Sequence, residues 1–255
     1  MPAHAYLEAP VPLAFAHRGG AAAGDENTAE AFGRAVRLGY RYVETDVHAT
    51  ADGVPVIFHD DTLVRLTGRS GRVEDLGWAD LATVRVGGAA VIPRLDETLA
   101  SWPAIRFNID VKADSGAAPA VETIRRASAE HRVLLASFSD ARLAVLRDLA
   151  GPSVATSMGL GSVLRLRLAS LVGRKVRPHP SVVAAQVPAR HAGLTVVDRA
   201  FLSCCHRSGL QVHVWTVDDR AEIARLLELG VDGIMTDDLE ALRDTYVARG
   251  AWHTW

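Results

Sequence analysis

The chain has 255 residues, 49% hydrophobic and 23% charged, a composition that supports a sizeable core and excludes a disordered chain. A formal net charge of −2 offers no field that would gather nucleic acid, so no nucleic-acid partner is expected. No apolar run reaches the roughly 18 residues of a membrane-spanning helix, and Met1 to Pro12 lacks a basic region followed by an apolar one, so the protein is expected in the cytoplasm.

Short apolar runs alternate with amphipathic stretches, the rhythm of a parallel α/β fold. Leu13 to Ala16 reads as a first strand ending at His17-Arg18, and Ala29 to Leu38 as a helix closed by Gly39. Tyr42 to Val47 is a second strand. Asp52-Gly53 is a hairpin signal that pairs it with Val54 to Phe58. Residues 61–96 are polar and Gly-rich and fit the rhythm poorly, so they are expected as a small insertion. Further strands are expected at Phe107 to Val111, Val133 to Ala136, Ser153 to Ser157, Val182 to Gln186, Gln211 to Thr216 and Gly233 to Thr236. Helices are expected at Asp140 to Leu149, Asp198 to Ser208, Arg220 to Leu229 and Leu239 to Ala248. Eight such strands favour a closed (β/α)8 TIM barrel, and no Gly/Ser linker divides residues 1–255 into separate domains. Adjacent cysteines rarely bridge, so Cys204 and Cys205 are expected as small buried thiols. The apolar tail, Ala251 to Trp255, is expected to pack on the barrel or on a partner.

Barrel enzymes assemble their sites at the carboxyl ends of the strands. His17 and Arg18 end the first strand, His59-Asp60 ends the short paired strand, and Trp215 lies near the end of the seventh. Glu44 and Asp46 are two positions apart and share a face, as do Asp110 and Lys112. Three carboxylates in one mouth repel unless a cation neutralises them, and oxygen-only donors suit Mg2+ or Ca2+ rather than zinc. His17 and His59 suit an acid–base pair; Arg18 and Lys112 suit a phosphate. The plainer alternatives are that Glu44 and Asp46 are salt-bridge partners of Arg18 and Lys112, that Asn27-Thr28 caps the following helix, and that Trp215 is core. His48, His179, His191, His206 and His213 are expected to be structural or on the surface.

The runs His17-Arg18-Gly19-Gly20, Glu26-Asn27-Thr28, Glu44-Thr45-Asp46-Val47, Asp52-Gly53 and His59-Asp60 resemble the signature of the glycerophosphodiester phosphodiesterase family, of the bacterial cytoplasmic type. Asn108-Ile109-Asp110-Val111-Lys112 resembles its third-strand motif; His213-Val214-Trp215-Thr216 and Gly230 to Asp237 resemble its last two strands. The resemblance runs from about residue 13 to residue 245 around a variable middle. It implies metal-dependent hydrolysis of glycerophosphodiesters to glycerol 3-phosphate and an alcohol. His17 and His59 would be the acid–base pair, Glu44, Asp46 and Asp110 the ligands of one divalent cation, and Arg18 and Lys112 the phosphate binders. Glu26 and Asn27 would shape the pocket, and Trp215 and Gln186 are further candidates to touch substrate. The family's third-strand ligand is usually glutamate; here it is the shorter Asp110.

The same residues would serve a lysophospholipase D acting on acylated diesters, and a non-catalytic phosphodiester-binding barrel is the reading from another class. Residues 162–177 carry five basic side chains, and no acidic residue occurs from Ala150 to Val197. The plain expectation is a helix packed by its apolar face; the alternative is a peripheral contact with anionic lipid.

Overall fold

A computed structural model describes residues 4–253, so the segments Met1–Ala3 and Thr254–Trp255 of the sequence reading lie outside the described residues. Eight parallel strands close a ring: β1 (Leu13–Ala16), β2 (Tyr42–Ala49), β3 (Arg106–Val111), β4 (Val133–Ala136), β5 (Ala155–Ser157), β6 (Val182–Pro188), β7 (Gln211–Trp215) and β8 (Gly233–Thr236). Each pairs with the next, and β1 pairs with both β8 and β2, which closes the barrel. The expected TIM barrel is therefore the observed one. Pro55–Ile57 adds an antiparallel strand to β2 outside the ring, through the turn at Asp52-Gly53, where Gly53 has φ +79°.

Eight principal helices alternate with the strands: α1 (Ala29–Arg37), α2 (Leu95–Ser101), α3 (Ala117–Arg126), α4 (Asp140–Ala150), α5 (Leu160–Leu171), α6 (Arg199–Arg207), α7 (Arg220–Leu229) and α8 (Leu239–Ala248). Thr28, Ser139, Asp198, Asp219 and Asp238 each accept a backbone N–H at the start of their helix, satisfying a donor that the first turn leaves open. The helices α2 and α3 follow Arg94 and Gly116, neither of which caps through its side chain, so no start signal marks them.

Two apolar layers hold the barrel. Inside the ring, Tyr6, Phe15, Tyr42, Leu134 and Met235 pack together, with the Tyr42 hydroxyl donating to the Tyr6 carbonyl at 2.8 Å. Outside it, strand residues such as Val43, Ile109 and Val212 meet the helices, and both cysteines are buried and free in that layer. Trp252 of the tail packs edge-on against Tyr40 at 5.1 Å, so this part of the tail lies on the barrel. Between the extra strand and α2, short helical turns and a small antiparallel pair (Arg85–Val86 with Ala90–Val91) gather Leu63, Val73, Leu81 and Ile92 into their own cluster with Val56 and Phe58.

One buried imidazole makes the interior sensitive to acid. His213 on β7 is fully buried, 4.8 Å from the Phe15 ring, and burial pushes its pKa down to about 3. The unfolded chain takes up a proton near pH 6.5 and the folded chain does not. This contribution to stability is therefore complete above pH 6.5 and is lost as pH falls toward 3. Between pH 7 and pH 5 it amounts to about 2 kcal/mol. Urea unfolding at those two pH values should show a correspondingly smaller loss in His213→Gln than in the wild type. Equal losses in both proteins would refute the assignment.

Candidate active site

The loop after β1 is the most constrained backbone of the barrel mouth. Arg18 and Asn27 both adopt left-handed backbone, with φ of 51° and 60°, and the Asn27 N–H donates to the Arg18 carbonyl at 2.8 Å. A Cβ on Gly19 would lie 2.7 Å from Phe32 Cδ1, and one on Gly20 would lie 2.6 Å from Leu239, so two glycines are needed for the loop to press against α1 and α8. Such strain in a polar mouth marks a site.

The loop places His17 with Nδ1 2.8 Å from Asp237 Oδ1 and Nε2 3.7 Å from Glu44. Burial alone would lower the His17 pKa; the Glu44 carboxylate and the bond to Asp237 outweigh it and raise it. His59 lies two residues past the extra strand, and the intervening Phe58 N–H donates to the Asp46 carbonyl at 3.0 Å. Its Nδ1 meets Asp60 Oδ1 at 2.6 Å, and His48 donates to its carbonyl at 3.1 Å. Arg65 then clamps Asp60 to Glu26, which also accepts from Arg18 at 2.8 Å. These bonds with Arg65 hold the Asp60 carboxyl down to about 2.

Register puts Asp46 directly beside Asp110. The Lys112 ammonium bridges them at 2.7 Å to each, while Arg18 Nε lies 3.3 Å from Asp46 and Asn27 donates to it at 2.8 Å. Burial would raise the Asp46 pKa, but Lys112 and Arg18 hold it below the usual range. Glu44 is less compensated: burial, then the neighbouring Asp46 charge, push it up to about 7.

The plain salt-bridge reading thus describes these side chains as they stand. Among the described residues no three His, Cys, Asp or Glu side chains are grouped so as to hold a metal ion, and Lys112 stands between two of the three expected ligands. The donor chemistry nonetheless fits a hard cation: all three groups are carboxylates, and Asp110 Oδ1 is buried with no hydrogen-bond partner.

Trp215 is half-buried at the rim, edge-on to the exposed Phe138 at 5.6 Å. Gln186 lies deeper, its amide between Asn108 at 3.4 Å and His213 at 3.3 Å. A cleft of about 190 Å3 opens beside Lys112, lined also by His48, Asp61, Arg72, Asp114 and Arg142. Asp237 is a site residue that its sequence context does not single out, although it ends the Gly230 to Asp237 motif, and Asp60 stands out in the sequence only as the neighbour of His59. Nothing in the sequence around Arg65 or Phe138 signals a place at the mouth.

A family model described as the glycerophosphoryl diester phosphodiesterase family matches residues 17–241. The chain is 41% identical over 244 residues to "Probable glycerophosphodiester phosphodiesterase 2" of Mycobacterium tuberculosis, covering 94% of this chain and 92% of that one. It is 26% identical over 263 residues to a human lysophospholipase D, covering 89% and 84% of the two chains. The crystal structure of a glycerophosphodiester phosphodiesterase from Agrobacterium tumefaciens superposes with a TM-score of 0.76 at 26% identity, covering 92% of this chain and 99% of that one. The chain belongs to the glycerophosphoryl diester phosphodiesterase family.

Proposed function

We propose that the protein hydrolyses glycerophosphodiesters to glycerol 3-phosphate and an alcohol, using His17 and His59 as its acid–base pair. The observation that carries this reading is the matched treatment of the two imidazoles. Each has its Nδ1 held by a carboxylate, Asp237 or Asp60, and neither Nε2 has a hydrogen-bond partner among the described residues. That arrangement fixes the ring and keeps one nitrogen for the substrate. One Nε2 takes the proton of the attacking oxygen: either water, which gives glycerol 3-phosphate directly, or the adjacent glycerol hydroxyl, which gives a cyclic phosphate that water then opens with the two roles exchanged. The other donates a proton to the departing alkoxide, so the pair ends with the proton exchanged between its members.

Arg18 and Lys112 bind and orient the phosphate, their positive charges already gathered at the mouth by Asp46 and Asp110. Glu44, Asp46 and Asp110 would hold one divalent cation, Mg2+ or Ca2+, which would neutralise charge on the phosphoryl oxygens. Asn27 and Glu26 brace Asp46 and Arg18. The reading treats residues 1–255 as a single barrel domain with 61–96 as an insertion, acting in the cytoplasm.

A second reading, cleavage of lysophospholipids, is favoured by one observation: Trp215 and Phe138 put apolar surface on the rim where an acyl chain would leave the site.

The test is release of glycerol 3-phosphate from glycerophosphocholine, with lysophosphatidylcholine in parallel. His17→Ala and His59→Ala should each lower kcat by roughly 100- to 10,000-fold while circular dichroism stays unchanged. Wild-type rates in both variants would defeat the assignment, and a preference for the acylated substrate would select the second reading. Asp237→Asn removes part of what raises the His17 pKa, so the corresponding limb of the pH–rate profile should move to lower pH with a lower kcat. An unshifted profile would mean that Asp237 only packs against the ring.

A further inference from the structure

The helix α5 is apolar on two sides, and the barrel covers only one of them. Leu166 and Ser170 are buried against the fold. Leu160, Leu164, Leu168 and Leu171 recur at the spacing of a single outward face and are 66%, 58%, 56% and 63% exposed, followed by Val172 at 69%. Scattered exposed leucines need no explanation, but a continuous stripe of five does.

The stripe has a direction. At its start the Leu160 N–H donates to the Phe138 carbonyl at 2.9 Å, and Phe138, itself 56% exposed, packs on Trp215 at the rim of the mouth. The start of the stripe is therefore tied to the exposed aromatic pair at the rim. At the far end the chain continues through Arg174, Lys175 and Arg177, and Arg165 flanks the stripe. All four are exposed, and none makes an ion pair among the described residues; Arg167, by contrast, is paired with Asp198.

We infer that this face docks on an anionic lipid bilayer, with α5 lying along the surface and the rim of the mouth brought up to it. The apolar stripe would enter the headgroup boundary while the basic residues meet anionic headgroups, as in a surface-lying amphipathic helix. Charge decides against a second copy of the chain as the occupant. A twofold interface would bring each set of four unpaired cations toward its own image, whereas an anionic surface offsets them. Among the described residues no helix is long and apolar enough to cross a membrane, so the contact would be peripheral.

The inference does not depend on the proposed reaction, and the experiment keeps the two apart. The full chain is sedimented with vesicles of phosphatidylcholine alone and of phosphatidylcholine with one-third phosphatidylglycerol. Three proteins are compared: wild type, Leu164→Gln/Leu168→Gln, and Arg174→Gln/Lys175→Gln/Arg177→Gln. Turnover of soluble glycerophosphocholine is measured in each as a check of the fold and, separately, of the reaction. The wild type should bind the anionic vesicles and not the neutral ones. At low salt the triple variant should lose on the order of a hundred-fold in partitioning. The leucine variant should lose most of its binding, with soluble turnover unaltered in both. Absent binding by the wild type, or variants that bind as it does, would overturn the inference. So would a concentration-dependent dimer that the leucine variant alone abolishes.

Discussion

Three carboxylates buried in one barrel mouth cannot coexist without positive charge beside them, and the rest of the site is arranged around that constraint. Taking an ion out of water costs several kcal/mol, and it is tolerated here because most of these charges are met closely by their opposites. Lys112 spans Asp46 and Asp110, Arg18 reaches Asp46 and Glu26, and Arg65 ties Glu26 to Asp60. Glu44 is left the least compensated, which burial and the Asp46 charge register as a rise to about 7. On the proposed reading, a centre built in this way would receive a further cation and a phosphate.

The barrel supplies the pieces from separate strands and the loops fix their angles. Adjacent registry of β2 and β3 makes Asp46 and Asp110 neighbours. The strained Arg18 and the two glycines after it draw the first loop close enough for the Arg18 N–H to donate to Glu44 at 3.1 Å. The insertion contributes more than bulk: Arg65 comes from it, and through Asp60 it steadies His59 against a residue of the β1 loop.

Much of this was legible from the residues themselves. Strands buried on both faces appear as short apolar runs, and Glu44, Asp46, Asp110 and Lys112 break those runs at alternate positions, which is how they can be picked out. Helices such as α4 and α7 were legible from their apolar spacing, and Ser139 and Asp219 cap them in the structure. The uncapped α2 and α3 were not, since Arg94 and Gly116 carry no start signal. Long-range partners stayed hidden for the same kind of reason: His17 and Asp237 are 220 residues apart, and only closure of β1 on β8 brings them together. The position of Lys112 between two carboxylates is likewise a product of strand registry, and the sequence shows only that the charges share a face.

The central claim is that this charge-balanced mouth is a phosphodiesterase centre completed by a divalent cation. The most direct measurement is glycerol 3-phosphate release from glycerophosphocholine by metal-stripped protein, before and after Mg2+ or Ca2+ is restored, beside Asp46→Asn and Asp110→Asn treated in the same way. The account predicts negligible release without metal, recovery when it is restored, and little recovery in either variant. Full release by the stripped protein, or equal recovery in the variants, would contradict it.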